Sequence, residues 1–370
     1  MLWTMTDAEL RRVLLAVLHD PPALARLPAG DVDTLLRVLR RARLLGRIAV
    51  QLNDANLMGA LPTTVADQLA GAMAVAEARA RHAVWELDRI VWALRGVADL
   101  RLIALKGSAY LMAALPNARG RTFADVDMLV PEAALRAVEE RLRENGWLSA
   151  DLDAYDELYY RQWAHEIPAM SHLDRQVEVD LHRNIVMRTA RLKPSAAQLL
   201  AAARPLAGSS VAVLAPTDMV LHAATHLFYG GDLDNSLREL IDIDVLLRHF
   251  AVQEPEFWSK FWHRATELDL RRPAYYALRY SNKLLGTPVP ARVLNETATG
   301  APPAVVRLLM DRLVPVSLFP SHPDRQALGA TLARLLLFCR SHWVRMPPLL
   351  LLRHLGTKAY LRYLRKPAAG

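Results

Sequence analysis

The chain has 370 residues, 52% of them hydrophobic and 23% charged, with 46 Lys and Arg against 38 Asp and Glu for a formal charge of +8. That composition excludes disorder as the main state and gives roughly two to three domains, enough to bury a sizeable core. A single cysteine, Cys339, excludes an intrachain disulfide and a cysteine zinc cluster.

Its place in the apolar run Leu335–Cys339 predicts burial as a small hydrophobe. Only six of the basic residues are Lys. Arg-rich usage of this kind also follows from GC-rich coding, so the charge permits an anionic substrate without requiring one. The opening Met1–Asp7 has no basic region, which argues against a secretory signal. No run approaches the ~20 apolar residues of a membrane-spanning helix. A cytoplasmic protein with no stable membrane insertion is expected.

The first hundred residues carry helical periodicity. Thr6 with Glu9 forms a capping box, and Asp31 is an expected N-cap for the stripe Leu35, Leu36, Val38 and Leu39. Steps of three and four from Val65 to Leu94 predict one or two helices from Thr63 or Thr64 onward. The pattern then changes. Leu102–Leu105 reads as a buried strand running into the turn Lys106-Gly107-Ser108 and a short helix ended by Pro116. Val126, Met128 and Val130 alternate with Asp125, Asp127 and Leu129, as a strand does. A helix over 132–145, with Gly146 as its C′ residue, separates this strand from another over 176–182. After Asn184 helical patterns return at 195–203, 216–229, 236–250, 254–268, 272–285, 302–313 and 327–343. The basic stretch from Arg345 to Lys366, with Leu and Tyr interleaved, reads as a buried helix with a snorkelling basic face. The predicted architecture is α+β: a small mixed-sheet core over 96–190 between helical regions 1–95 and 191–370.

Three features of the mixed segment carry chemistry. Gly107-Ser108 follows a buried strand and opens a helix, where backbone and hydroxyl groups can donate to phosphate oxygens. Asp125 and Asp127 are i and i+2 on one strand and share a face. Two such carboxylates repel unless a cation lies between them, and magnesium held by carboxylates and substrate phosphates suits that place. Asp180 shares a face with Glu178 on a further strand. A third carboxylate there completes a two-metal site and can accept the proton of an attacking hydroxyl.

These residues resemble the polymerase-β-like nucleotidyltransferases: Gly-Ser, then Asp-x-Asp, then a lone Asp on a later strand. Leu105-Lys106-Gly107, Arg121 through Val130, and Val179-Asp180-Leu181-His182 are similar to blocks of the bacterial nucleotidyltransferase-5 family. His222 through His226 and Leu237 through Asp242 look like two of its later blocks. Ala124 stands where the family often has Gly, and Ser108 where this branch often has Ala.

The resemblance implies transfer of a nucleoside monophosphate from a nucleoside triphosphate to an acceptor hydroxyl or phosphate, with release of pyrophosphate. It implies Asp125, Asp127 and Asp180 as catalytic metal ligands, with two Mg2+ ions or Mn2+ in their place. The acceptor stays open among protein, peptide natural product, RNA and small metabolite. Phosphoryl transfer or triphosphate hydrolysis at the same site is the alternative chemistry, and a non-catalytic nucleotide-binding module the alternative class.

Other candidates fall around this centre. Gly107 and Ser108 are expected on the β- and γ-phosphates. Lys106 is placed to reach the triphosphate or to pair with an Asp, and Arg121 to clamp a phosphate in bidentate fashion. His182 shares the carboxylate face, where it orients Asp180, contacts the acceptor or is simply structural. His165 with Glu166 is expected on a neighbouring strand. His222 and His226 have zinc-binding i, i+4 spacing, but Ala223 replaces the Glu of a zinc hydrolase, which leaves a substrate-facing or packing role. Asp242-Ile243-Asp244 imitates Asp-x-Asp on a helix, where the two side chains diverge by roughly 200° and cannot share an ion. Asp242 is expected to pair with Arg238 one turn away, and Arg238 is itself a candidate, with the histidines, to contact the acceptor or support the site.

Overall fold

A short β-strand needs a neighbour on each side to satisfy its backbone, and the apolar strand Leu102–Ala104 (β1) finds both within one sheet. It pairs antiparallel with Asp125–Leu129 (β2) and parallel with Val211–Val213 (β7). β2 pairs parallel with Glu178–His182 (β5), which is followed outward by Met170–His172 (β4) and Trp147–Ser149 (β3). Arg204–Pro205 (β6) borders β7, giving the order β3-β4-β5-β2-β1-β7-β6. The computed structural model describes residues 5–364 apart from 99, 176, 231, 232, 235, 326 and 327. Gln176 and Ala327, expected at the start of a strand and a helix, and Arg365 and Lys366 of the basic stretch lie outside them.

The architecture is α+β, with helices flanking this mixed sheet. The sheet does not stop at residue 190, because β6 and β7 return to it from beyond. Both are too short to show a period of their own.

Four helices precede the sheet: Asp7–His19, Ala29–Arg41, Leu45–Asp54 and Thr63–Ala93. The first has the expected reciprocal cap between Thr6 and Glu9. The second begins at Ala29, placing Asp31 inside it, because the fixed φ of Pro28 sets the cap three residues earlier. The last is one uninterrupted helix of 31 residues.

Two contacts fix these helices to the sheet. Glu86, fully buried, accepts from Trp147 Nε1 at 2.9 Å and Arg175 Nε at 2.7 Å. Gly46 and Gly120 meet backbone to backbone. A Cβ on Gly120 would lie 2.4 Å from the Gly46 carbonyl oxygen, and Gly120 also has φ +70, a conformation that glycine adopts without strain. The loop after Gly120 leads directly into β2.

Beyond the sheet, Pro216–Tyr229, Leu237–Gln253 and Arg271–Leu285 pack around the buried Phe228, Tyr276 and Tyr280. Ala154–Gln162 is a helix that periodicity did not announce; Asp153 caps it by accepting from the Asp156 amide at 2.8 Å. Ala304–Leu318 runs past its expected end and through Pro315. Cys339 is exposed, contrary to the apolar run around it. Its helix, Leu328–Arg345, turns Ala330, Ala333, Leu337 and Ser341 inward, which puts Cys339 on the outer face with Leu332 and Leu335. The helix Pro348–Leu364 is likewise less buried than expected: Leu349, Leu352, Leu355, Tyr360 and Tyr363 are exposed.

Candidate active site

The site begins with strand register. In the parallel β2–β5 pair, Asp127 stands opposite Asp180 and Asp125 opposite Glu178. Alternation sends Val126, Met128, Val179 and Leu181 into the core, so all four carboxylates take the other face. Asp127 is buried, while Asp125 and Glu178 at the strand starts are exposed. Asp127, Asp180 and His182 offer ligand atoms within 4.8 Å of one another, as do His165, Glu166 and His182. Asp125 is in neither group.

Lys106 supplies the counter-charge. It sits between β1 and the helix Lys106–Met112 with φ 44, a left-handed conformation that is uncommon for a residue with a side chain. Its Nζ donates to Asp127 Oδ1 at 2.7 Å. His182 Nε2 reaches the same oxygen at 3.1 Å, so this histidine acts on Asp127 and not, as one expectation had it, on Asp180. Its Nδ1 is 3.4 Å from Glu166 Oε2 without making a hydrogen bond. His165 and Glu166 come in beside β5 through a lone bridge between Glu166 and His182.

The electrostatics divide the two central carboxyls. Burial alone would push the Asp127 carboxyl up, but Lys106 and His182 hold it well below the usual range. Lys106 is in turn raised by Asp127 against the cost of its own burial. Asp180 has no such partner. Burial, reinforced by Asp127, pushes its carboxyl up to about 7. Burial and neighbouring cationic groups push His165 and His222 far below the usual range, so both imidazoles are neutral.

The phosphate candidates separate. Gly107 lies against Phe123 and Arg121, closely enough that an added Cβ would meet them at 3.2 and 3.3 Å. It lines the cavities in front of the sheet. Ser108 is buried one position further, its hydroxyl without a hydrogen-bond partner, and it is not among the residues lining those cavities. Arg121 is committed to Asp242 in a buried ion pair and stacks near the Tyr110 ring. Asp242 therefore pairs with Arg121 and not with Arg238: the helix Leu237–Gln253 points it at the loop before β2, where Asn117 also approaches at 3.5 Å. His226 Nδ1 lies 3.1 Å from Glu239 Oε2, whereas His222 is buried.

A cavity of about 230 Å3 contains Lys106, Gly107, Asp125, Asp127, Arg121, His226 and Arg238 in its wall. A larger one, about 820 Å3, shares Gly107, Arg121 and Asp125 with it and extends to Leu45, Ala72 and Val75 of the N-terminal helices. Arg43, also in both walls, escaped the sequence reading: it occupies a helix–helix corner with φ 57 and belongs to no motif.

The donor set suits a hard divalent cation. Carboxylates on adjacent strands share one face, and one of them, Asp180, is pushed up to about 7 by burial and by the neighbouring Asp127. Asp127 and Asp180, with Asp125 on the same face, are the residues that would hold such a cation, and its charge would offset both carboxylates where Lys106 offsets only Asp127.

A family model described as an uncharacterised nucleotidyltransferase matches residues 28–286, which include the whole sheet, the carboxylates and the helix that carries Arg238. No curated protein and no solved structure matches the chain.

Proposed function

Because the chain belongs to this nucleotidyltransferase family, we propose that it transfers a nucleoside monophosphate from a nucleoside triphosphate to an acceptor hydroxyl or phosphate. The observation that carries the reading is the convergence of Asp127 and Asp180 through parallel register, with Asp125 on the same face. Two Mg2+ ions, or Mn2+ in their place, would rest on Asp125, Asp127 and Asp180 and supply charge neutralisation at the reacting phosphate.

The protein's residues do the rest. Asp180, in its ionised form, takes the proton of the acceptor oxygen as that oxygen attacks the α-phosphorus. The new bond is oxygen to α-phosphorus. The bond that breaks joins the α-phosphorus to the α–β bridging oxygen, and pyrophosphate departs with the electron pair. Lys106 and His182 hold Asp127 ionised and fix its orientation. Glu166 Oε2 lies 3.4 Å from the other ring nitrogen of His182, Nδ1.

The test is incubation of the protein in cell lysate with each α-labelled and γ-labelled triphosphate and Mg2+. Label from the α-phosphate on an acceptor, with pyrophosphate released, supports the reading. Label from the γ-phosphate, or free phosphate with a nucleoside diphosphate, would establish phosphoryl transfer or hydrolysis instead.

A further inference from the structure

Three cavities meet in front of the sheet. Besides the two already described, one of about 410 Å3 runs beside His226 and Ser236. Arg43 and Arg238 are the two residues common to the walls of all three. Arg43 comes from the N-terminal helices and Arg238 from the helix Leu237–Gln253, so each helical region brings one cation to the junction.

The carboxylates beside them are already matched. Asp242 is paired with Arg121, Glu239 with His226 at 3.1 Å and Asp234 with Arg334 at 2.7 Å. Neither the Arg43 nor the Arg238 side chain makes a hydrogen bond or ion pair among the described residues. Arg238 is half-buried, and burial together with the nearby Arg121 pushes its pKa down to about 10. Asp242 and Glu239 act on Arg238 as well, but each has its own partner, so the two guanidinium groups, Arg43 exposed and Arg238 half-buried, stay open to an anion at this junction. Arg43 also keeps a left-handed backbone to stand where it does.

We infer that Arg43 and Arg238 grip the polyphosphate chain of the donor nucleotide, one from each helical region, while its nucleoside enters the cavity of about 820 Å3. This assignment rests on the nucleotidyltransferase reading. It also supplies what that reading lacks, since Lys106 and Arg121 are both occupied by carboxylates. Guanidinium forks fit phosphate oxygens in bidentate geometry. Leu45, Ala72 and Val75 give the large cavity an apolar wall on which a base can lie without specific readout.

Calorimetric titration of the full chain with inorganic tripolyphosphate in chelator isolates the arginines from any metal. The intact protein should bind it, more weakly as salt rises. Arg43→Asn and Arg238→Gln should each weaken binding about tenfold or more. Asn is chosen at 43 because it accepts a left-handed backbone. Arg136→Gln, which removes an exposed cation paired with Glu140, is the control for net charge and should bind as the parent does. No binding by the parent, unchanged affinity in both junction variants, or an equal loss in Arg136→Gln would overturn the assignment. Failure of the underlying reading looks different: tripolyphosphate binds through the two arginines, yet no nucleotide triphosphate yields pyrophosphate. If pyrophosphate is released with unchanged KM in both junction variants, the clamp is wrong and the reading stands.

Discussion

Asp127 and Asp180 face each other across the parallel β2–β5 pair, yet their environments drive their ionisation in opposite directions. Lys106 and His182 both address Asp127, and neither makes a hydrogen bond to Asp180. One strand pair thus presents a permanent anion beside a carboxyl that can exchange its proton near neutrality. Paired carboxyls driven apart in this way can take different parts in one reaction.

The first prediction concerns stability and pH. The carboxyl of Asp180 is raised from 3.8 to about 7 in the folded chain. The folded state therefore binds a proton that the unfolded state has already lost. This contribution is present in full below about pH 4 and disappears as pH rises toward 7. Asp180→Asn has no carboxylate to bury in charged form, so the metal-free variant should melt higher than the parent at pH 8, with the difference shrinking toward pH 4. Parallel melting curves for the two proteins across that range would show that the carboxyl is not raised.

A second prediction separates the carboxylates by function. Asp180→Asn should lower kcat by about 10²-fold or more and leave triphosphate affinity nearly intact, because the lost interaction is with the attacking group. Asp127→Asn should damage both kcat and metal-dependent nucleotide binding. Steady-state kinetics paired with calorimetry distinguishes the two patterns. Near-parental turnover in Asp180→Asn would take that residue out of the mechanism.

Removing Lys106 tests the counter-charge. Lys106→Met leaves Asp127 buried without its closest cation, a change that should cost about 3 kcal/mol in the absence of metal. Divalent cation should restore more stability to the variant than it adds to the parent, since its charge would offset the same carboxylate that Lys106 offsets. Denaturant unfolding with and without Mg2+ measures this difference.

The fourth prediction reverses what the helical look-alike suggested. Read as a helical imitation of Asp-x-Asp, Asp242 is a neutral control, but its pairing with buried Arg121 makes it part of the cavity wall. Asp242→Asn leaves that guanidinium uncompensated and should destabilise the fold by about 3 kcal/mol. It should also weaken nucleotide binding. Asp244→Asn, whose carboxylate pairs with half-exposed Arg248 and accepts from Thr287, should cost less than half as much. Unfolding curves for the two variants test the order.

The sequence made the carboxylates legible because strand alternation is local: Val126, Met128, Val179 and Leu181 identify the inward face, and Asp127 and Asp180 follow on the other. The same logic located the turn at Gly107. What it could not give was pairing between distant segments. Arg121 with Asp242, separated by 121 positions, depends on how the helix Leu237–Gln253 lies on the loop before β2. Arg43 carries no periodic or motif signal, since its position follows from a corner between two helices. β6 and β7 were missed for a different reason: runs of 2 and 3 residues are too short for any alternation to register. Cys339 shows the opposite failure, in which an apolar neighbourhood in sequence proved to lie on the outside of a helix.

The contact between Gly46 and Gly120 bears on modularity. The core over 96–190 suggests a unit that could be excised or moved onto another scaffold. Yet the loop that delivers Arg121 and Asp125 rests its backbone on a helix from before that core, with no side chain between them to absorb an error. Cutting the chain near residue 95 would remove the support of this loop together with Glu86, the buried anchor of Trp147 and Arg175. A cut near 190 would strip β7 from β1 and leave the latter's outer edge unpaired. The carboxylate-bearing strands are therefore inseparable from the helices around them, and an isolated core would lose both its edge and its loop before any chemistry could be assayed.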